Sequence, residues 1–369
     1  MSKRLLWGLI IVLLCAMPAM AQDAEAGYQE ALRRIEEARV SGGTTLDLTN
    51  ISLSSLPPEI SQLTNLRWLN LAGNQLTSLP PEIGQLTNLF TLTLFGNHLS
   101  TLPPEICKLA QLLNLNLDYN AFTEFPLEAT CLTNLAILSL YGTPLTVLPP
   151  EIGRFQKLEQ LHLQNNRLTT LPSEIGQLTS LLVIDLSGNQ LTDLPPEIRQ
   201  LASLQWLILS NNQLSHLPPE IGQLAALQKL HIGSNPLTIF PAEILKLKDL
   251  GELYLDNTQL TYLPSEIVQL NHLKKLNLDG TPLTDLPVAM GQLTNLEEVY
   301  LDRRSLRFPP PDIIWQGTKS TLAYLRDYEA MQARQTIAGI AAGVGVIAGV
   351  LLAFRWRQRR GLGEKKKRL

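Results

Sequence analysis

Leu66 to Ile83 reads LRWLNLAGNQLTSLPPEI, and the same pattern returns every 23 residues. Its leading leucine recurs at Leu66, Leu89, Leu112, Leu135, Leu158, Leu181, Leu204, Leu227, Leu250, Leu273 and Leu296, eleven starts with no insertion or deletion. A degenerate twelfth copy precedes them from Gly43, carrying Leu46, Leu48, Ile51, Leu53 and Leu56. Within one unit, Leu66, Leu69, Leu71, Leu76 and Leu79 fit neither a strand's alternation nor a helix's stripe over the whole length. They fit a coil that turns back on itself once per repeat, with every leucine pointing to its axis. One such coil leaves its leucines half exposed, so only stacking on its neighbours buries them.

The unit has the form L-x-x-L-x-L-x-x-N-x-L-x-x-L-P, which resembles the leucine-rich repeat family, with one short strand per turn. The expected fold is an α/β solenoid: a curved leucine-rich repeat horseshoe of about twelve 23-residue repeats with a parallel concave sheet, helical caps at both ends and one transmembrane helix. Asn74, Asn97, Asn120, Asn166, Asn189, Asn212 and Asn235 recur where the chain leaves each strand, and an inward amide there can satisfy backbone groups of two coils. Thr143, Thr258 and Thr281 take that place in three units, and Arg304 in the last marks the end of the array. Strands of about four residues are expected. The proline pairs, such as Pro80-Pro81 and Pro103-Pro104, impose extended backbone on the convex side and leave room for no more than a short turn at E-I-G-Q-L.

The two ends carry addresses. Residues 1–21 read as a secretory signal, with Lys3 and Arg4, an apolar run from Leu5 to Cys15, and the small-x-small site Ala19-Met20-Ala21. The alternatives are an uncleaved anchor and a lipoprotein box at Cys15, the latter preceded by an oversized Leu14. Residues 22–42 read as a capping helix whose apolar face is Tyr28, Ala31, Leu32, Ile35 and Ala38. The array occupies 43–311, and 312–335 form a C-terminal cap and juxtamembrane helix in which Leu322, Leu325 and Tyr324 fold back on the last repeat. The exit segment PPPDIIWQGTKSTLAYLR is similar to that of bacterial repeat proteins related to the Roco group, where a signalling domain often follows. Here an uncharged run, 336–354, follows instead and is long enough to span a bilayer. Its Gly339, Gly343, Gly345 and Gly349 make two small-x-x-x-small pairs, the pattern of a homodimer interface. Residues 355–369 form a basic tail, cytosolic by the positive-inside rule, which places the array outside the cytoplasm.

Setting aside the tail, net +7, together with Lys3 and Arg4, from the total of −3 leaves about −12 for the rest, which argues against nucleic acid as a partner. Cys107 and Cys131 stand one repeat plus one position apart, compatible with a disulfide or with two buried thiols. The lack of paired-cysteine caps departs from animal extracellular receptors and points to the bacterial type.

No catalytic or cofactor signature emerges. Gly317-Thr-Lys-Ser lacks the adjacent Gly-Lys and the earlier glycine of a phosphate loop. His98, His162, His216, His231 and His272 show no metal-ligand spacing, and His162 with Asp185 on the next strand reads as a surface ion pair. The expectation is a non-enzymatic protein without cofactor or metal.

Function then falls to the positions the repeat leaves free: the third, fifth, seventh and eighth, which face away from the core. Two aromatic groups stand out there. Phe95, Tyr119 and Tyr141 come early; Trp206, Ile208, His231, Tyr254 and Tyr300 come late, edged by Glu252, Asp256, Asp279, Glu298 and Asp302. Exposed aromatics anchor binding energy, so these eight are the candidate contacts for a protein ligand on the concave face. The expected protein is a recognition module on a single-pass anchor. The alternatives are a passive adhesin or scaffold, an accessory subunit delivering substrate to a separate enzyme or signalling protein, and an array facing the cytoplasm if the signal is not cleaved.

Overall fold

The computed structural model describes residues 23–302 and 304–336. The expected signal peptide, the span from residue 337 onward with its four glycines, and the basic tail lie outside the described residues. Among the described residues no helix is long and apolar enough to cross a membrane.

Twelve strands form one parallel sheet in sequence order. They run from β1 (Thr45–Asp47) through β2 (Trp68–Asn70), β3 (Thr91–Thr93), β4 (Asn114–Asn116), β5 (Ile137–Ser139) and β6 (Gln160–His162) in the early half. The late half holds β7 (Val183–Asp185), β8 (Trp206–Ile208), β9 (Lys229–His231), β10 (Glu252–Tyr254), β11 (Lys275–Leu278) and β12 (Glu298–Leu301). Register follows the 23-residue period without slippage, so Trp68 pairs with Thr91 and Tyr254 with Asn277. The same repeat position therefore forms a straight row across the sheet. Most strands are three residues long rather than about four, although the inter-coil hydrogen bonds continue one residue further, with Leu71 N donating to Thr93 O at 2.8 Å.

On the convex side each L-P-P-E-I segment closes a single 3-10 turn, as at Pro81–Gln85, with proline at the start and Ile83 buried. Proline fits the first turn because the N–H it lacks would have no partner there. The repeat leucines are almost all fully buried in one continuous core. Between coils runs a ladder of side-chain amides. Asn74 Oδ1 accepts from the backbone of Ile51 and Leu53, while its Nδ2 donates to Leu48 O at 2.7 Å and Leu71 O at 2.9 Å. Asn97 and Asn120 repeat the pattern. Thr143 keeps one arm, donating to Leu140 O, and reaches Asn166 Oδ1 at 2.6 Å.

Cys107 and Cys131 form a disulfide on the convex side, with Cα atoms 5.5 Å apart. Of the two options the sequence leaves open, geometry selects the bond, because the one-residue offset brings adjacent turns Pro104–Lys108 and Leu127–Cys131 side by side.

Both ends of the core are covered. Helix α1 (residues 23–41) lays Ala31, Ile35 and Ala38 on the first coil. Its closest approach is at Gly27, where an added Cβ would lie 2.0 Å from Ile51 O, so this helix face includes a glycine that the apolar pattern misses. Arg34 Nη1 donates to Asp47 O, tying the helix to β1. At the other end come the short helix α2 (Pro311–Ile314) and helix α3, which the structure describes over residues 318–336. Leu322 and Leu325 are buried against the last repeat, and Tyr324 and Tyr328 pack around Phe308. Thr318 Oγ1 accepts from Val299 N at 3.0 Å, satisfying a donor on the outer edge of the sheet.

Candidate functional site

The concave face divides into two regions of different chemistry. In the early region Phe95, Tyr119 and Tyr141, at the C-terminal rims of β3, β4 and β5, pack edge to face. The ring centroids are 5.3 Å apart for the first pair and 4.7 Å for the second. Phe95 and Tyr119 are exposed, and Tyr141 is half-buried.

Tyr119 occupies the eighth repeat position, where the chain turns off the sheet through left-handed backbone. Gly73, Gly96, Gly142, Gly188 and Gly280 take that conformation in other repeats, as do Asn50, Asn165, Asn211, Asn257 and Ser234. A tyrosine at φ +51° is the bulky exception, a conformation that costs roughly 1–3 kcal/mol in a residue with a large side chain. Gly142, next in the row, makes room for the ring: a Cβ there would lie 2.9 Å from Tyr119 Cε1.

Beside this rim the sheet surface holds a hollow of about 420 Å³ spanning β3 to β6. Its lining includes Thr93, Asn116, Asp118, Ser139, His162 and Gln164. Asp118, expected to project freely, is buried, because its Oδ1 accepts from Ser139 Oγ at 2.5 Å and Tyr141 N at 2.7 Å. The His162–Asp185 ion pair does not form, although the two residues are in register. His162 instead lies between Gln160 Oε1 at 3.3 Å and Gln164 Nε2 at 3.5 Å, while Asp185 accepts from Ser187. Nearer hydrogen-bond partners win over a weak exposed charge pair. Gln164 Oε1 is buried with no hydrogen-bond partner. Gln164 was not singled out by sequence reasoning, although its seventh-position column, shared with Phe95 and Tyr141, was the available signal.

The late region is a ladder rather than one aromatic cluster. Along the third position Lys229 Nζ sits 4.2 Å from the centre of the Trp206 ring and 3.4 Å from Glu252. Lys275 lies 3.3 Å from Glu298, which accepts from the Tyr300 hydroxyl at 2.6 Å. The Tyr300 hydrogen bond and the Lys275 ammonium hold the Glu298 carboxyl below its ordinary range, and the carboxylate in turn raises both partners. Along the fifth position the His231 and Tyr254 rings pack at a tilt of 49°, with centres 4.1 Å apart. His231 Nε2 is buried without a hydrogen-bond partner, and burial pushes this imidazole below its usual value. Trp206 and Tyr300 stay exposed; Ile208, His231 and Tyr254 are half-buried. Asp256, Asp279 and Asp302 follow one another along the seventh-position rim.

Family models described as a leucine-rich repeat region and a leucine rich repeat match residues 45–139 and, in overlapping segments, 133–283. The chain is a leucine-rich repeat protein. Among solved structures, a leucine-rich repeat protein of Leptospira interrogans is 40% identical, covering 75% of this chain and 78% of that one, with a TM-score of 0.68. An internalin of Listeria monocytogenes shares the fold at 23% identity, over 76% of this chain and 84% of that one, with a TM-score of 0.63. The repeat ectodomain of the Arabidopsis thaliana membrane receptor kinase GASSHO1/SCHENGEN3, solved in complex with Casparian strip integrity factor 2, is 29% identical with a TM-score of 0.56. That match covers 70% of this chain and 38% of the receptor. A search of curated proteins returned no match. As a leucine-rich repeat array the chain has the architecture of an interaction module, and solved relatives carry protein or peptide ligands.

Proposed function

We propose that this leucine-rich repeat protein is a non-catalytic recognition module that binds a protein ligand on the late half of its concave face, β8 to β12. The observation that carries the reading is the registered ladder Trp206–Lys229–Glu252–Lys275–Glu298–Tyr300. It presents exposed aromatic rings at both ends of a row of fixed charges. Aromatic anchors flanked by polar groups are the usual carriers of interface energy. The acidic rim of Asp256, Asp279 and Asp302 beside it favours a ligand segment with basic side chains.

Display outside the cytoplasm on a single-pass anchor is part of the same reading. It draws on the signal-like residues 1–21, the uncharged 336–354 and the basic 355–369, and the Cys107–Cys131 disulfide suits an oxidising compartment. With immobilised full-length protein as bait, the paired substitution Trp206→Ala and Tyr254→Ala is expected to abolish capture of the ligand while the unfolding transition stays in place. Capture equal to wild type would refute the assignment.

A further inference from the structure

The early hollow differs from the late ladder in having no use for charge. None of the residues lining it is lysine, arginine or glutamate, and its one carboxylate, Asp118, already serves Ser139 and the Tyr141 amide. What it offers is a set of hydrogen-bonding groups on a stiff sheet: the Asn116 and Gln164 amides, the Thr93 hydroxyl and the His162 imidazole. Gln164 Oε1 is buried in its floor without a partner. A buried acceptor left unmade is costly, so this amide gains by turning Oε1 outward to a hydroxyl donor brought by a ligand. At about 420 Å³ the hollow falls within the range of ligand pockets, about 300–1,000 Å³.

The rim supplies the other half. Tyr119 holds a strained backbone that glycine, asparagine or serine relieves in the other repeats, and Gly142 is vacated in front of its ring. The result is an edge-to-face series of three aromatic rings, Phe95 and Tyr119 exposed and Tyr141 half-buried, of which Tyr141 also lines the hollow. Strain kept at one repeat and not at its neighbours marks a position selected for something besides folding.

The geometry points to a glycan-binding subsite here: a neutral oligosaccharide whose pyranose C–H faces lie on Phe95, Tyr119 and Tyr141, and whose hydroxyls pair with the amides of the hollow. Sugar rings present an apolar face and a hydroxyl edge, which is the combination this surface complements. An anionic ligand would find no lysine or arginine in the hollow to pair with and would lose hydration on entry.

The test uses full-length protein in a detergent without a sugar headgroup, with maltohexaose, cellohexaose and chitohexaose as probes. Saturation transfer from protein to sugar protons is measured and titrated. At least one probe is expected to bind at up to millimolar concentration. Tyr119→Gly removes the ring while relieving the backbone, so it is expected to weaken binding by about tenfold with no loss of fold. Gln164→Leu is expected to weaken it as well, and Trp206→Ala, on the late face, to leave it unchanged. No transfer to any of the three probes would overturn the subsite. So would transfer unaffected by Tyr119→Gly, stronger binding of anionic hyaluronan, or an equal response from a neutral Gly-Ser peptide of similar length.

Discussion

Tyr119 and Gly142 are a pair in which one residue stores strain and the other leaves space for it. Tyr119→Gly gives up two ring contacts worth about 0.5–1.5 kcal/mol each in packed pairs but relieves a left-handed backbone of similar cost. With Tyr119 nearly half exposed at 45%, the expected net change in denaturant midpoint is close to zero. Gly142→Ala has no such offset, since its φ is +66° and its Cβ would meet the tyrosine ring; a loss of about 1 kcal/mol or more is expected in the same titration. Inside the coil, Asn120 donates to Leu94 O and Leu117 O and accepts from Leu99 N. Asn120→Ala strands these buried groups, at about 1–3 kcal/mol for each left unsatisfied, whereas Asn120→Thr, which keeps one arm as Thr143 does, is expected to cost less. His231 makes a pH-dependent contribution. Its folded pKa lies below the unfolded value because burial opposes the charge, so the unfolded chain takes up its proton first on acidification. The stabilising contribution is complete above the unfolded value, near 6.5, and is lost as pH falls through the lowered folded one. Thermal midpoints measured from pH 7 down to 5 should therefore fall more steeply for wild type than for His231→Gln.

At the scale of elements, adjacent coils are joined mainly by non-covalent contacts, and the disulfide ties the turns Pro104–Lys108 and Leu127–Cys131. Closing a loop of that length restricts the unfolded chain by about 3 kcal/mol in the chain-entropy account. In a solenoid the loss should stay local, so Cys107→Ser with Cys131→Ser is expected to raise hydrogen exchange in the coils of β3 to β5 and leave β9 to β12 unchanged. Exchange rising evenly along the array would contradict this. The elements also show what a sequence can disclose. The leucine, asparagine and proline columns specify strand order, register, the convex turns and the core, because each column answers a single geometric demand repeated twelve times. The aromatic rims were visible as departures within free columns. Three features were not legible: the burial of Asp118, the orphaned Gln164 oxygen and the Lys229–Trp206 contact. These arise between neighbouring repeats, from side-chain rotamers that compete for partners, and a column read residue by residue contains no information about that competition. Tyr119 was half legible, since its column is otherwise glycine, asparagine or serine up to Arg303 in the last repeat, but its meaning depended on knowing that the column is left-handed.

For the whole molecule, the absence of any insertion over eleven starts means that each coil meets its neighbours in the same way, so one coil should be removable. Deleting residues 158–180, the coil of β6, joins Lys157 to Leu181 and leaves every leucine and amide column in phase. Thr143, which bonds Asn166 in the intact chain, would then face Asn189. The expected product folds cooperatively and is shorter by one strand spacing, about 4.8 Å. Deleting only 158–168 puts half a coil out of phase, exposes leucines that should be buried, and is expected to aggregate. The full-coil deletion also separates the two binding surfaces. It removes His162 and Gln164 from one wall of the early hollow, while β8 to β12 with Trp206, Tyr254 and Tyr300 keep their mutual register. Oligosaccharide binding should therefore be lost and protein capture retained. Loss of both in a variant that still unfolds cooperatively would mean that the concave face acts as one continuous surface, with the curvature across β5 to β7 as part of the site.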